Sequence, residues 1–227
     1  MAGCASGVAF GANWGSPAFP DWSGDTVLRL LVDSPWAKGK TVRFTWYERN
    51  EQPITYRDVP GNVQGPTVTG GSPVGGIGAP KPKLPNQVDL IFRWASALPV
   101  RQAKALFRQR EKKLDPAKAA EMVEPPSAGY VLEIFGIPLM AAHRGAGVVE
   151  AKLRDSVTLT TKSGRVLRPG RVEAVVGSGL AALIHFPRVE PVTVADGEVE
   201  CAGNAQIFEF RERFKLGPMV YGGRLEL

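Results

Sequence analysis

The chain has 227 residues, enough for one large or two small domains. Its 44% hydrophobic and 22% charged residues allow a packed core and exclude a solvated polyelectrolyte, and no apolar run reaches the ~18 residues that cross a bilayer as a helix. Two cysteines, Cys4 and Cys201, exclude a disulfide framework, and a net charge of +6 favours anionic partners without choosing among nucleic acid, acidic polysaccharide and lipid headgroups.

Met1-Ala2-Gly3-Cys4 has the form of the end of a bacterial lipoprotein signal. Small residues before the cysteine let the backbone lie extended in a peptidase and leave the thiol open to lipid transfer. The basic and apolar parts of such a signal would precede Met1. The motif predicts lipidation at Cys4 and a place in the cell envelope, membrane-anchored or periplasmic; the alternative is an ordinary cytoplasmic start. A lipidated Cys4 leaves Cys201 alone; a free, exported Cys4 leaves a bridge between the two open.

Residues 1–25, rich in Gly, Ser and Pro with Phe10, Trp14, Phe19 and Trp22, read as an N-terminal tether that partly packs back on the fold. Thr26 to Val32 and Thr41 to Tyr47 read as two strands around the turn residues Asp33 to Lys40, giving a β-hairpin over 26–58. Residues 59–86 are dense in Gly and Pro and have few apolar anchors, as in a flexible linker or long loop. Gln87 to Trp94 resumes a strand. Pro99 at a first helical position and the stripe Val100, Ala103, Leu106, Phe107 and Leu114 predict a helix from Leu98, and Asp115-Pro116 caps a second, ended by Pro125-Pro126.

From Tyr130 onward the pattern is β, with strands expected at 130–135, 156–161, 171–176, 181–186, 197–201, 206–214 and 219–227. The expected fold is therefore mainly β. It is a β-sandwich, immunoglobulin-like or similar, over 87–227, with a short inserted helical segment near 98–124 and the long Gly/Pro-rich loop before it. A partly closed barrel would carry the same pattern.

Candidate sites are few. Arg101, Lys104, Arg108, Arg110, Lys112 and Lys113 lie on the basic helix that runs on to Lys118 and could face lipid, nucleic acid or another anionic partner; long basic stems also cover apolar neighbours in ordinary solvated helices. Gly177-Ser-Gly-Leu-Ala-Ala182 matches a dinucleotide fingerprint, but Pro187 and Pro191 leave no room for the helix that must follow, so a strand turn is expected and no cofactor. His143 and His185 are the only histidines, too far apart in sequence from each other and from the cysteines to suggest a metal site. Glu48, Glu51 and Asp58 form an acidic group suited to glycoside chemistry or to a salt-bridged strand end.

Three segments together, Ile91 to Ala103, Leu183 to Arg188 and Phe214 to Leu227, resemble a group of exported bacterial envelope proteins and lipoproteins; the last is similar to a recurring F-K-L-x-x-M-x-Y-x-G-x-L-E-L ending. The resemblance covers residues 87–227 and implies an envelope setting, with no activity and no site residue. The expected function is non-enzymatic binding or structure in the envelope, with a membrane partner through the anchor and an anionic polymer or protein partner. The alternatives are a hydrolase acting on a cell-wall or surface polymer, and a nucleic-acid-binding protein using the helix 101–118.

Overall fold

The computed structural model describes residues 19–45, 86–112, 115–124, 129–139, 146–176, 180–205 and 207–227. Cys4, Lys113, His143, Glu48, Glu51, Asp58 and nearly all of the 59–86 segment lie outside them.

The first element is a helix, α1 (Gly24–Val32), where a strand was expected. Ser23 supplies the reason: its hydroxyl accepts from the Thr26 backbone N–H at 3.1 Å, and Asp25 stands in the first turn. Val27, Leu30 and Leu31 then fall on one buried face at helical spacing. Ser34 and Pro35 follow the end of the helix, and strand β1 (Ala37–Arg43) begins inside the expected turn. No hairpin forms with 26–32. Instead β1 pairs with β2 (Gln87–Trp94), far along the chain, with Lys38 opposite Phe92 and Val42 opposite Val88.

The expected helices follow as α2 (Leu98–Lys112) and α3 (Pro116–Glu121), the latter capped by Asp115. After β3 (Tyr130–Ile137) comes a further helix, α4 (Ala146–Ser156), within the stretch expected to be entirely β. Helix is therefore not confined to 98–124. Val149 and Leu153 of α4, four apart, are buried. Glu150 accepts from the Ala174 N–H at 2.8 Å, so α4 satisfies a donor of the edge strand β6 (Arg171–Val176).

The remaining strands are β4 (Thr158–Thr161), β5 (Val166–Leu167), β7 (Leu180–Phe186), β8 (Glu198–Asn204) and β9 (Glu209–Lys215). Residues 180–186 are strand, as the turn reading of the glycine motif requires; Gly177 to Gly179 lie outside the described residues. The C-terminal segment is not one long strand. It is a two-strand ribbon of β10 (Val220–Tyr221) and β11 (Arg224–Leu225), turned at Gly222 and Gly223, both with positive φ.

The architecture is mainly β and antiparallel. One sheet has the order β1-β2-β3-β7-β6 and the other β5-β4-β8-β9. Phe92 of β2 meets Phe210 of β9 at 5.1 Å between ring centroids, and Trp94 meets Phe214 at 5.6 Å, so the two sheets share one core. Each such fully buried ring contributes roughly 1.5–3 kcal/mol by removal from water. Where β1 and β9 approach, one backbone bridge, Phe44 to Phe208, joins the sheets. Farther along, the strands separate, and the Lys38 and Lys40 ammonium groups donate to the β9 carbonyls of Arg213 and Arg211. No helix among the described residues is long and apolar enough to cross a membrane.

Candidate functional site

The basic helix α2 turns several of its cations inward. Arg101 donates through Nε to the Ser96 carbonyl at 2.9 Å and through a terminal nitrogen to the Val123 carbonyl. Lys104 pairs with Glu133 of β3, and Arg110 donates to the Trp22 carbonyl. Arg108 is exposed. Arg101, Lys104 and Arg110 thus tie α2 to the α3 end, to the sheet and to the segment before α1, although Arg110, like Arg108, is exposed.

Glu133 is the most tightly held acid among the described residues. Its side chain is 8% exposed and sits opposite Arg93 across the β2–β3 ladder. Arg93 binds it with both ends of the guanidinium fork, Nε to Oε2 at 2.6 Å and Nη2 to Oε1 at 2.9 Å. Burial alone would raise the Glu133 carboxyl; the Arg93 hydrogen bonds and the Lys104 and Arg93 charges overcome it and hold the group at about 2. Lys104 is itself lowered, because burial of the ammonium outweighs its attraction to Glu133 and Arg93 adds like charge. The cluster carries one carboxylate and two cations beneath α2, a structural arrangement with its acid ionised at neutral pH.

Cys201 is a free, buried thiol on β8, pushed up by burial and then by the Glu212 and Glu200 charges, so it is inert in the fold. His185 on β7 faces Glu173 on β6, with Nε2 and Oε1 at 2.9 Å but not aligned as a hydrogen bond. Burial and then the Arg171 charge lower the imidazole, against the pull of Glu173. Among the described residues no group of three or more His, Cys, Asp or Glu side chains is placed to hold a metal ion.

The grooves lie elsewhere, along β9. In Glu209 to Lys215 the rings of Phe210 and Phe214 point into the core, and Arg211, Arg213 and Lys215 are exposed on the other side. On one flank a groove of about 770 Å³ runs over β4 and β8, with Thr160, Lys162, Glu198, Glu200, Arg213 and Lys215 in its lining. On the other, at the β1–β9 seam, a groove of about 780 Å³ includes Lys40, Arg43, Asn204, Glu209 and Arg211. A smaller one of about 270 Å³ adds Arg29, Asp33, Lys38 and Lys215. Behind the seam, Glu212 lies 3.5 Å from Lys38 and 3.4 Å from Lys40, and so fixes the lysines that bridge the two strands. The cations of β9 were missed in the sequence. Their signal is the strict alternation Phe210-Arg211-Glu212-Arg213-Phe214-Lys215, which sends basic residues to one face once the strand is placed. Comparison with protein-family models, with curated proteins and with solved structures finds no match to this chain.

Proposed function

We infer that the protein is a non-enzymatic binding module of the bacterial envelope, held at a membrane by a lipid on Cys4. One observation carries the binding half of this reading: the described grooves and the strongly shifted groups do not coincide. Glu133, Lys104 and Cys201 are sealed away from the grooves, whereas an active site is expected to place such groups in its cleft. The grooves are instead lined by side chains suited to holding an anionic polymer or protein. The scaffold reads as a β-sandwich, supported by the Phe92–Phe210 and Trp94–Phe214 contacts between the sheets. The lipid half rests on the Met1-Ala2-Gly3-Cys4 motif and the envelope resemblance.

In the native host, the protein should partition into detergent and carry acyl chains on Cys4 by mass spectrometry, and Cys4→Ser should release it. An unmodified, soluble protein would overturn the anchor. One observation favours a second reading, a hydrolase acting on a cell-wall or surface polymer: the His185–Glu173 pair on the outer face of the first sheet. New reducing or amino ends released from wall polymer by the wild type, and lost in His185→Gln, would replace the binding reading with that one. Nucleic-acid binding through 101–118 is the weakest reading, since Arg101, Lys104 and Arg110 are engaged within the fold.

A further inference from the structure

We propose that β9 is the binding strand for an acidic polysaccharide carrying regularly spaced carboxylates, recognised by the ladder Arg211, Arg213 and Lys215. The proposal rests on the binding-module reading and names its partner. Antiparallel strand residues rise about 3.4 Å each, so the three cations stand about 7 Å apart along a straight row. That row is preformed by the fold. Phe210 and Phe214 anchor the strand from below, and the β8 pairing fixes Arg213 opposite Glu200 and Lys215 opposite Glu198.

The carboxylates beside the ladder select the class of polymer. Glu200 accepts from Arg213 Nε at 2.7 Å and lies 3.0 Å from Arg211 Nη1, which orients both guanidinium groups along the strand. Each guanidinium has five N–H donors, so most remain for a ligand carboxylate. Glu198, Glu200 and Thr160 line the groove that Arg213 and Lys215 line, with Arg211 in the adjoining seam groove, and offer acceptors. Sugar hydroxyls can donate to them. A polyphosphate lacks such donors to offset the repulsion that any polyanion meets from both acids. The lining around Arg213 and Lys215 holds no aromatic ring among the described residues, and Phe210 beside Arg211 is buried, so an exposed stacking platform of the kind single-stranded nucleic acids use is missing there, whereas Val194 and Pro218 give small apolar surfaces for sugar faces.

The test is calorimetric titration of the full chain with size-defined oligogalacturonate, with dextran, inorganic polyphosphate and single-stranded DNA as comparison ligands. The wild type should bind the oligogalacturonate, more weakly as salt rises, and bind the others poorly. Neutralising the ladder, as Arg211→Gln, Arg213→Gln and Lys215→Gln together, should weaken binding about ten-fold, the sum of three exposed charge contacts. Arg108→Gln, on α2, should change nothing. A thermal melt checks the fold of each variant, and Lys215→Glu alone, expected to weaken binding several-fold, serves if the triple variant does not fold. Full affinity in the ladder variants would place the site elsewhere and overturn the proposal while leaving the binding-module reading intact. Equal binding of polyphosphate or DNA would overturn the polymer class. No binding of oligogalacturonate by the wild type would overturn the proposal alone, since the broader reading is tested separately: its anchor falls if Cys4 proves unmodified, and its binding half falls if hydrolysis is detected.

Discussion

Two clusters in this protein have the same stoichiometry and opposite settings. Glu133 lies between Arg93 and Lys104, and Glu200 lies between Arg211 and Arg213. In the first the carboxylate is 8% exposed beneath α2; in the second the arginines are 67% and 61% exposed on an open sheet face. Water makes the difference. Away from water, each member must be matched, and the cluster belongs to the fold. In water the attraction is screened and the side chains stay available, so the cluster is free to exchange one anion for another. The first is architecture and the second is the surface proposed for a partner.

The largest expected effect is at the buried cluster. Glu133→Gln leaves Arg93 and Lys104 without their counter-charge and should cost about 3–5 kcal/mol by denaturant titration. The same cluster sets an acid limit. The folded carboxyl is held at about 2, below its ordinary 4.5, so its contribution is fully present above about pH 4.5 and is lost as pH falls toward 2. A shift of that size corresponds to about 3 kcal/mol. Stability measured from pH 5 to pH 2 should fall more steeply in the wild type than in Glu133→Gln; parallel curves would show that Glu133 is not a stabilising buried ion.

An intermediate effect is expected at Glu226. Its carboxylate accepts from the Leu98 N–H at 2.9 Å at the start of α2, and its carbonyl accepts from the Trp36 indole at 3.0 Å. The fold uses Glu226 as a helix cap supplied from a segment far along the chain. Glu226→Ala should cost about 1 kcal/mol, the usual loss for a cap. A change too small to measure would mean that water caps the helix equally well. The smallest effect belongs to the exposed cluster. Glu200→Gln should cost less than about 1 kcal/mol, and the difference should vanish in 1 M salt. A loss comparable to that of Glu133→Gln would erase the distinction between the two clusters.

Local pattern was enough where one residue alphabet allowed one structure. Gln87 to Trp94 and Arg171 to Val176 are strands with the expected bounds, and the helix beginning at Leu98-Pro99 forms as its stripe requires. It failed at Thr26 to Val32, where seven largely apolar residues suit either helix or strand and the Ser23 cap decided for helix. It failed again at 146–156, where the stripe is only Val149 and Leu153. The basic helix was legible as a helix, but whether each cation meets water or a buried partner depends on what lies under it.

The sequence by itself determined the mainly β composition, the short-range elements with clear period or caps, and the excess positive charge, because these follow from neighbours within a few residues. Only the tertiary structure decided the pairing of β1 with β2, the meeting of Arg93 with Glu133 forty residues apart, and the row of cations on β9 beside Glu200. Register and burial are set by the whole sheet, and a charge becomes part of the core or part of a binding surface only when the chain has chosen which side of that sheet faces water.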